Sequence, residues 1–185
     1  MTGIIITVIV VALLALLIFW GIGVQNKLVK ADEISKNALK QINVQQMSRY
    51  DAIKALVKLT REYAGHENDT LIKVVEARKI TSSPNPTVDD INRNEQALSA
   101  LTTQVTAVAE QYPQLKANET YLKTMEDIKS YEENVRLSRM TFNDTVTRFN
   151  NQVRMFPGSL VASMLGFAPK EYLADDVKKA DFPDF

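Results

Sequence analysis

Apolar residues along this chain follow two patterns, one continuous and one periodic. From Gly3 to Val24 there is no charged residue, and the stretch reads Ile4-Ile5-Ile6, Val8-Ile9-Val10-Val11, Leu13-Leu14, Leu16-Leu17-Ile18-Phe19. As a helix rising about 1.5 Å per residue, it covers the roughly 30 Å hydrocarbon core of a bilayer with little to spare. A secretory signal would show a basic start, a shorter apolar core and a small-residue cleavage motif. Met1-Thr2 carries no Lys or Arg, and Trp20-Gly21-Ile22-Gly23-Val24 holds no such motif. The pattern predicts an uncleaved transmembrane anchor over residues 1–26, bounded by Gly3 and Val24, with Trp20 at a membrane–water interface.

Beyond the anchor the pattern turns periodic. Pro and Gly are nearly absent until Ser82-Ser83-Pro84-Asn85-Pro86, so one helix is expected to run from the membrane into a soluble region. Its positions Tyr50, Ile53, Val57, Thr60 and Ala64 alternate three and four apart, one face of a coiled-coil-type helix. Gly65 costs about 1 kcal/mol against Ala in a helix and predicts a bend at Ala64-Gly65-His66. The Ser/Pro/Asn cluster predicts a turn at which the chain reverses, because Pro lacks an amide donor and restricts the residue before it. Thr87 then has N-cap chemistry, with Asp89 and Asp90 in the first turn. The stripe Val88, Ile91, Leu98, Leu101, Val105, Val108, Tyr112 predicts a second helix ending near Pro113. From Leu115, the series Leu122, Met125, Ile128, Val135, Phe142, Val146, Phe149, Val153, Phe156 predicts a third helix that stops at Pro157-Gly158.

No run alternates with period two, so strands are not expected. The fold class is all-α: the N-terminal transmembrane helix continues into an antiparallel bundle of long helices over residues 27–173, with a short C-terminal helix and an irregular tail over 174–185. Lys27, Lys30, Lys36 and Lys40 follow the anchor closely while only the α-amino group precedes it, which predicts a cytoplasmic bundle.

Composition adds mainly exclusions. Acidic and basic residues balance at 22 each, so no global field gathers nucleic acid. Cysteine is absent, which removes disulfides, thiol nucleophiles and thiolate metal sites. His66-Glu67 has the opening of a zinc-protease helix, but Thr70 stands where the second His is required. Asp89-Asp90-Ile91-Asn92-Arg93-Asn94-Glu95 is rich in oxygen ligands yet lacks the glycine and distal glutamate of an EF-hand loop, and a helix start explains its acids equally well. There is no glycine-rich phosphate loop and no serine in a nucleophile elbow. No catalytic, cofactor-binding or metal-binding residue is expected, and no cofactor.

Two charges fall on or beside the apolar stripe of the third helix, Glu132 and Arg139. An unpaired buried charge costs several kcal/mol, so both are expected to pair across helices, with Arg49, Glu76 and Arg78 as the natural partners.

Arg49-Tyr50-Asp51 with Leu56-Val57, Tyr63-Ala64-Gly65-His66-Glu67, Glu76-Ala77-Arg78, Tyr112-Pro113-Gln114-Leu115-Lys116-Ala117-Asn118, Glu132-Asn134-Arg139 and Phe156-Pro157 before Gly166-Phe167 occur in this order behind the anchor. In this the chain resembles the LemA family along nearly its whole length. The resemblance implies a membrane-anchored helical bundle with a short N-terminus outside and the domain in the cytoplasm, and no assigned molecular activity. Two departures stand out. The proline common before the Asn-Leu-Val of the first helix is missing from Ile53-Lys54-Ala55-Leu56-Val57. The usual Tyr-Asn pairs of the third helix appear as Phe142-Asn143 and Phe149-Asn150, which removes the phenol hydroxyls.

The expected function is a non-enzymatic scaffold or assembly protein of the bacterial inner membrane, with a sensory module signalling through the anchor helix as the alternative. The expected partners are the lipid bilayer, a second copy of the chain, or an unidentified membrane protein. Ser159 to Tyr172 is too apolar for a solvated tail. If the three helices alternate in direction, this segment lies at the membrane-distal end. It then either folds back as a short helix capped by Ser159 and ended at Gly166, or docks on another protomer through Leu160, Met164, Leu165 and Phe167.

Overall fold

The computed structural model describes residues 1–64 and 83–174, and in these the chain is helical wherever it is regular. Helix α1 runs unbroken from Thr2 to Ala64 over 63 residues. It is followed by α2 (Val88–Gln111), the single turn α3 (Pro113–Lys116), α4 (Glu119–Arg154) and α5 (Gly158–Leu165). The all-α expectation holds, as does the long apolar helix packed against further long helices and a short C-terminal one. The expected bend at Gly65, and Glu76 and Arg78, lie outside the described residues.

The helix ends follow local chemistry. Thr87 caps α2 through a capping box, its hydroxyl accepting from the Asp90 amide at 3.1 Å while the Asp90 carboxylate accepts from the Thr87 amide at 2.9 Å. Those hydrogen bonds, first of all from the Thr87 backbone, hold the Asp90 carboxyl below its ordinary value. Pro113 ends α2 and also opens α3, since a proline at the first helical position loses no bonded amide. Asn118 caps α4, its side-chain oxygen accepting from the amides of Thr120 and Tyr121.

The chain divides into two compact units. One comprises residues 37–143 and 172–185. Its core joins Tyr50, Ile53, Leu56 and Val57 of α1, Leu98, Leu101, Val105 and Ala109 of α2, Leu115 of α3, and Tyr121 and Ile128 of α4. Leu98, Leu101, Val105 and Ile128 are positions of the predicted stripes, whereas Ala109 is buried in place of Val108 and Tyr121 in place of Leu122, which is exposed. Helix directions come from paired contacts. Asn118, at the start of α4, donates to the Tyr63 hydroxyl, and Arg49 meets Glu132, so α4 is antiparallel to α1. Arg139 meets Asn92, and Thr106 meets Tyr121, so α4 is antiparallel to α2 as well.

Between α1 and α2 the structure corrects the expectation of alternating directions. Asn43 donates to the Ser83 carbonyl, Gln46 to the Ile91 carbonyl and Arg49 to Glu95, so numbers rise together and the two helices are parallel. Ser83 already lies beside Asn43, and Ser83-Pro84-Asn85-Pro86 leads into α2 ahead of its Thr87 cap rather than reversing the chain's direction.

The other unit comprises residues 1–36 and 144–171. The apolar span of α1 has no part buried within the protein, and Ile4 to Phe19 present exposed aliphatic and aromatic side chains. Burial begins at its exit. Leu28 forms a core with Phe149 and Val153 of α4 and Ala162 of α5, and Val24, Ala31, Val161 and Phe167 pack around it. This corrects the expected location of the C-terminal apolar segment. Because α4 returns against α1, Phe156-Pro157 and α5 belong with the exit of the apolar span and not with the far end of the bundle.

Helix α5 starts two residues earlier than expected, with Pro157 at the cap position and no side-chain cap from Ser159. It ends as expected on Gly166, in the left-handed region at φ 74°. Gly158 is required for a steric reason. A Cβ there would stand 2.5 Å from the Gln152 carbonyl oxygen in the last turns of α4. That oxygen is backbone and cannot rotate away, so Gly158→Ala should destabilise the chain by about 1–3 kcal/mol, as overpacking does. Thermal unfolding of the detergent-solubilised full-length protein checks it, and an unchanged melting temperature would mean that the turn relaxes freely.

Candidate functional site

Two constellations of polar side chains stand out, one in each unit. In the bundle unit, Arg49 is a guanidinium with 1% of its side chain exposed. Its Nη1 donates to Glu95 Oε1 at 2.5 Å, and its Nη2 lies 3.7 Å from Glu132 Oε2 and 3.5 Å from the Ser99 hydroxyl. Glu95 is held further by Ser99, whose hydroxyl donates at 3.4 Å, and by the Gln46 amide at 3.3 Å. Gln46 also donates to the Ile91 carbonyl and accepts from Asn94. One cation and two carboxylates thus join α1, α2 and α4, with side-chain donors and acceptors interleaved. The arrangement pins three helices in one register, since a shift by one turn would leave a buried charge alone.

Of the residues expected to form ion pairs, Arg49 and Glu132 are brought together. Arg139 is bound differently, its Nη2 donating to the Ala174 carbonyl at 2.6 Å and to the Asn92 side-chain oxygen at 3.4 Å. Glu95 was missed. Its signal was present as a gap, because the α2 stripe passes from Ile91 to Leu98 with Asn94 and Glu95 at the intervening inward positions.

In the anchor unit, Lys170 Nζ lies 2.7 Å from Asp32 Oδ1, donates to the Asp32 carbonyl at 3.2 Å and bonds the Ser35 hydroxyl. Burial would raise the Asp32 carboxyl, but hydrogen bonds and charge from Lys170 and Lys36 outweigh it and hold the group below its ordinary 3.8. Its contribution to stability is therefore complete above 3.8 and is lost as pH falls through the lower folded value. The melting-temperature gap between wild type and Asp32→Asn should stay constant from neutral pH down to that point and close below it. A gap that already closes near neutral pH would contradict this. The same Lys170 ammonium sits 4.8 Å from the centroid of the Phe149 ring, which Phe167 meets edge-on at 6.1 Å and 72°.

Two asparagines hold the segment after α5 by its backbone. Asn150 donates to the Lys170 carbonyl at 2.9 Å and accepts from the Lys170 amide at 2.8 Å. Asn143 treats Leu173 in the same way, at 2.9 and 3.0 Å. These are the asparagines of the two Phe-Asn pairs, whose rings are buried in the core.

Of the residues expected at a partner contact, Phe167 is half-buried against Phe149, whereas Leu160, Met164 and Leu165 are exposed. Gly3 and Trp20 are not buried, and Val24 is half-buried at the edge of the Leu28 cluster. Among the described residues no group of three or more His, Asp or Glu side chains could hold a metal ion. An open groove of about 250 Å³ lies between Ala38, Gln41 and Gln45 of α1 and Asn134, Leu137, Ser138 and Thr141 of α4, and none of these is ionisable.

Protein LemA of Metamycoplasma hominis is 25% identical over 166 residues, covering 88% of this chain and 75% of that protein. The LemA family model matches residues 38–184, from the middle of α1 through α2, α4 and α5. The chain belongs to the LemA family.

Proposed function

We propose that this chain is a single-pass membrane protein whose helical bundle is a non-enzymatic scaffold or assembly module on the cytoplasmic side of the bacterial inner membrane. The observation that carries the reading is the way α1 is divided. Its large apolar side chains from Ile4 to Phe19 are exposed, as those of a lipid-facing helix should be, while the next turns of the same helix are built into a core. Cleavage of residues 1–26 as a signal would remove Val24 from that packing and leave Leu28 as the second residue of the new chain, which favours an anchor that is kept. The polar clusters support a structural role, because their charges are spent on one another and the groove places no acid or base beside the Ser138 and Thr141 hydroxyls.

The cytoplasmic side is supported by Lys27, Lys30, Lys36 and Lys40 next to the span. A reporter fused after Phe185 should be active only in its cytoplasm-dependent form, and activity of a reporter that works only outside the cytoplasm would overturn the orientation. Assembly predicts that the full-length protein in mild detergent sediments as more than one copy or with a bound partner. A strictly monomeric, unaccompanied chain would favour the second reading, a sensory module. That reading draws on the unbroken course of α1 from Thr2 to Ala64, which would transmit a displacement of the anchor directly.

A further inference from the structure

We infer that α5 and the turn before it form a second membrane contact, lying in the headgroup layer of the leaflet at the Val24 end of the span and preferring anionic lipid. The inference rests on the anchored reading above. It starts from an apolar surface that the protein itself does not cover. Phe156 is 80% exposed, Leu160 58% and Met164 87%, and the three are spaced by four residues. The opposite face of α5 is the packed one, with Ala162 in the core and Val161 beside it.

What covers the outer face follows from its neighbours within the same unit. Ala162 and Val161 belong to the cluster formed by Leu28 with Val24 and Ala31, and Val24 is the last residue of the apolar span. An element fixed beside Val24 and Leu28 stands at the depth where a bilayer-spanning helix leaves hydrocarbon, within about one helical turn of it. A short helix with one packed face and one apolar face at that depth has the geometry of an interfacial helix, which buries its free face some 5–10 Å into the headgroup and acyl boundary.

Charge points to the same occupant. Residues 1–31 and 145–170, the stretches around the exit, contain Lys27, Lys30, Arg148, Arg154 and Lys170 and no Asp or Glu. Lys170 is engaged by Asp32, while Lys27, Lys30, Arg148 and Arg154 are exposed. Exposed cations without acids beside an apolar helix complement phosphate-bearing headgroups, and anionic lipids most of all. A second copy of the chain would bring the same uncompensated positive charge to the contact, which disfavours it as the occupant.

The chain has no cysteine, so single cysteines can carry an environment-sensitive fluorophore without background labelling. The full-length protein, labelled in turn at Leu160→Cys, Met164→Cys, Ile34→Cys and Ile9→Cys, is reconstituted in phosphatidylcholine vesicles with and without phosphatidylglycerol. Nitroxide quenchers are placed near the headgroup or near the chain end. Labels at positions 160 and 164 should lose emission to the headgroup-near quencher more than to the chain-end one, and lose more with phosphatidylglycerol present. The label at position 34, ten residues past Val24 on α1, should respond to neither. Emission at 160 and 164 insensitive to both quenchers would overturn the inference, whether the labels are in water or covered by another protomer. Equal quenching in both lipid mixtures would overturn the anionic preference. The label at position 9 keeps the two readings apart: strong quenching from the chain end supports the anchor, and its absence would mean that the anchored reading itself has failed.

Discussion

Replacing Arg49 by alanine should destabilise the chain by about 3–5 kcal/mol, the range for removing one partner of a buried ion pair. The guanidinium is 1% exposed and the Glu95 side chain 15%, so Glu95 would keep its bonds from Ser99 and Gln46 but lose the cation that the described residues pair with it. The loss is largely the cost of leaving that carboxylate in a dry site, which the double substitution Arg49→Met with Glu95→Met isolates. With both charges gone and the volume refilled, most of the lost stability should return. Urea unfolding of the full-length protein in detergent, followed by its helical signal, measures both. If Arg49→Ala cost less than about 1 kcal/mol, water would have to reach the pair and its role in setting register would be refuted.

Phe149→Ala should cost a similar 3–5 kcal/mol for a different reason, the cavity left by an aromatic ring. The ring is 1% exposed and touches three kinds of neighbour: aliphatic groups of Leu28, Val153 and Ala162, the edge of Phe167, and the Lys170 ammonium. Phe149→Leu should recover more than half of the loss, since the volume returns while the ring contacts do not. Because α5 and the segment after it are held through this core, the alanine variant should also become sensitive to protease after Arg154 under conditions where the wild type is not. A small loss with no new cleavage would mean that Phe149 is dispensable to this unit.

The predicted apolar stripes failed at their ends, where Tyr121 is buried in place of Leu122, Ala109 in place of Val108, and Phe156 is exposed. Elsewhere they identified the buried faces of α2 from Ile91 to Val105 and of α4 from Ile128 to Val153, because burial against a neighbour imposes the 3-4 period whatever that neighbour is. Direction was not legible for the same reason. A stripe marks a face and reads equally well for a parallel or an antiparallel partner, so α2 was expected to run opposite to α1. From that single error the C-terminal apolar segment was placed at the wrong end. The Arg49 network was half legible. The charged stripe positions pointed to a pairing, and Glu132 was found, but Glu95 shows only as a missing apolar residue between Ile91 and Leu98. Asp32 and Lys170 lie 138 residues apart, and no local pattern joins them. Gly158 was read as a helix stop, while the close approach that demands it is a distance that only the folded chain displays.

The asparagine clamps imply an uneven tolerance to sequence drift. Asn150 and Asn143 grip Lys170 and Leu173 by the amide and carbonyl that nearly every residue shares, so neither clamp reads side-chain identity. Spacing is a different matter. Seven residues of α4 rise about 10.5 Å, and three extended residues cover about 10 Å, so the two grips match only one count of intervening residues. Homologous chains should therefore neither lengthen nor shorten between the two clamps. A single-residue insertion there should do more damage than replacing Glu171.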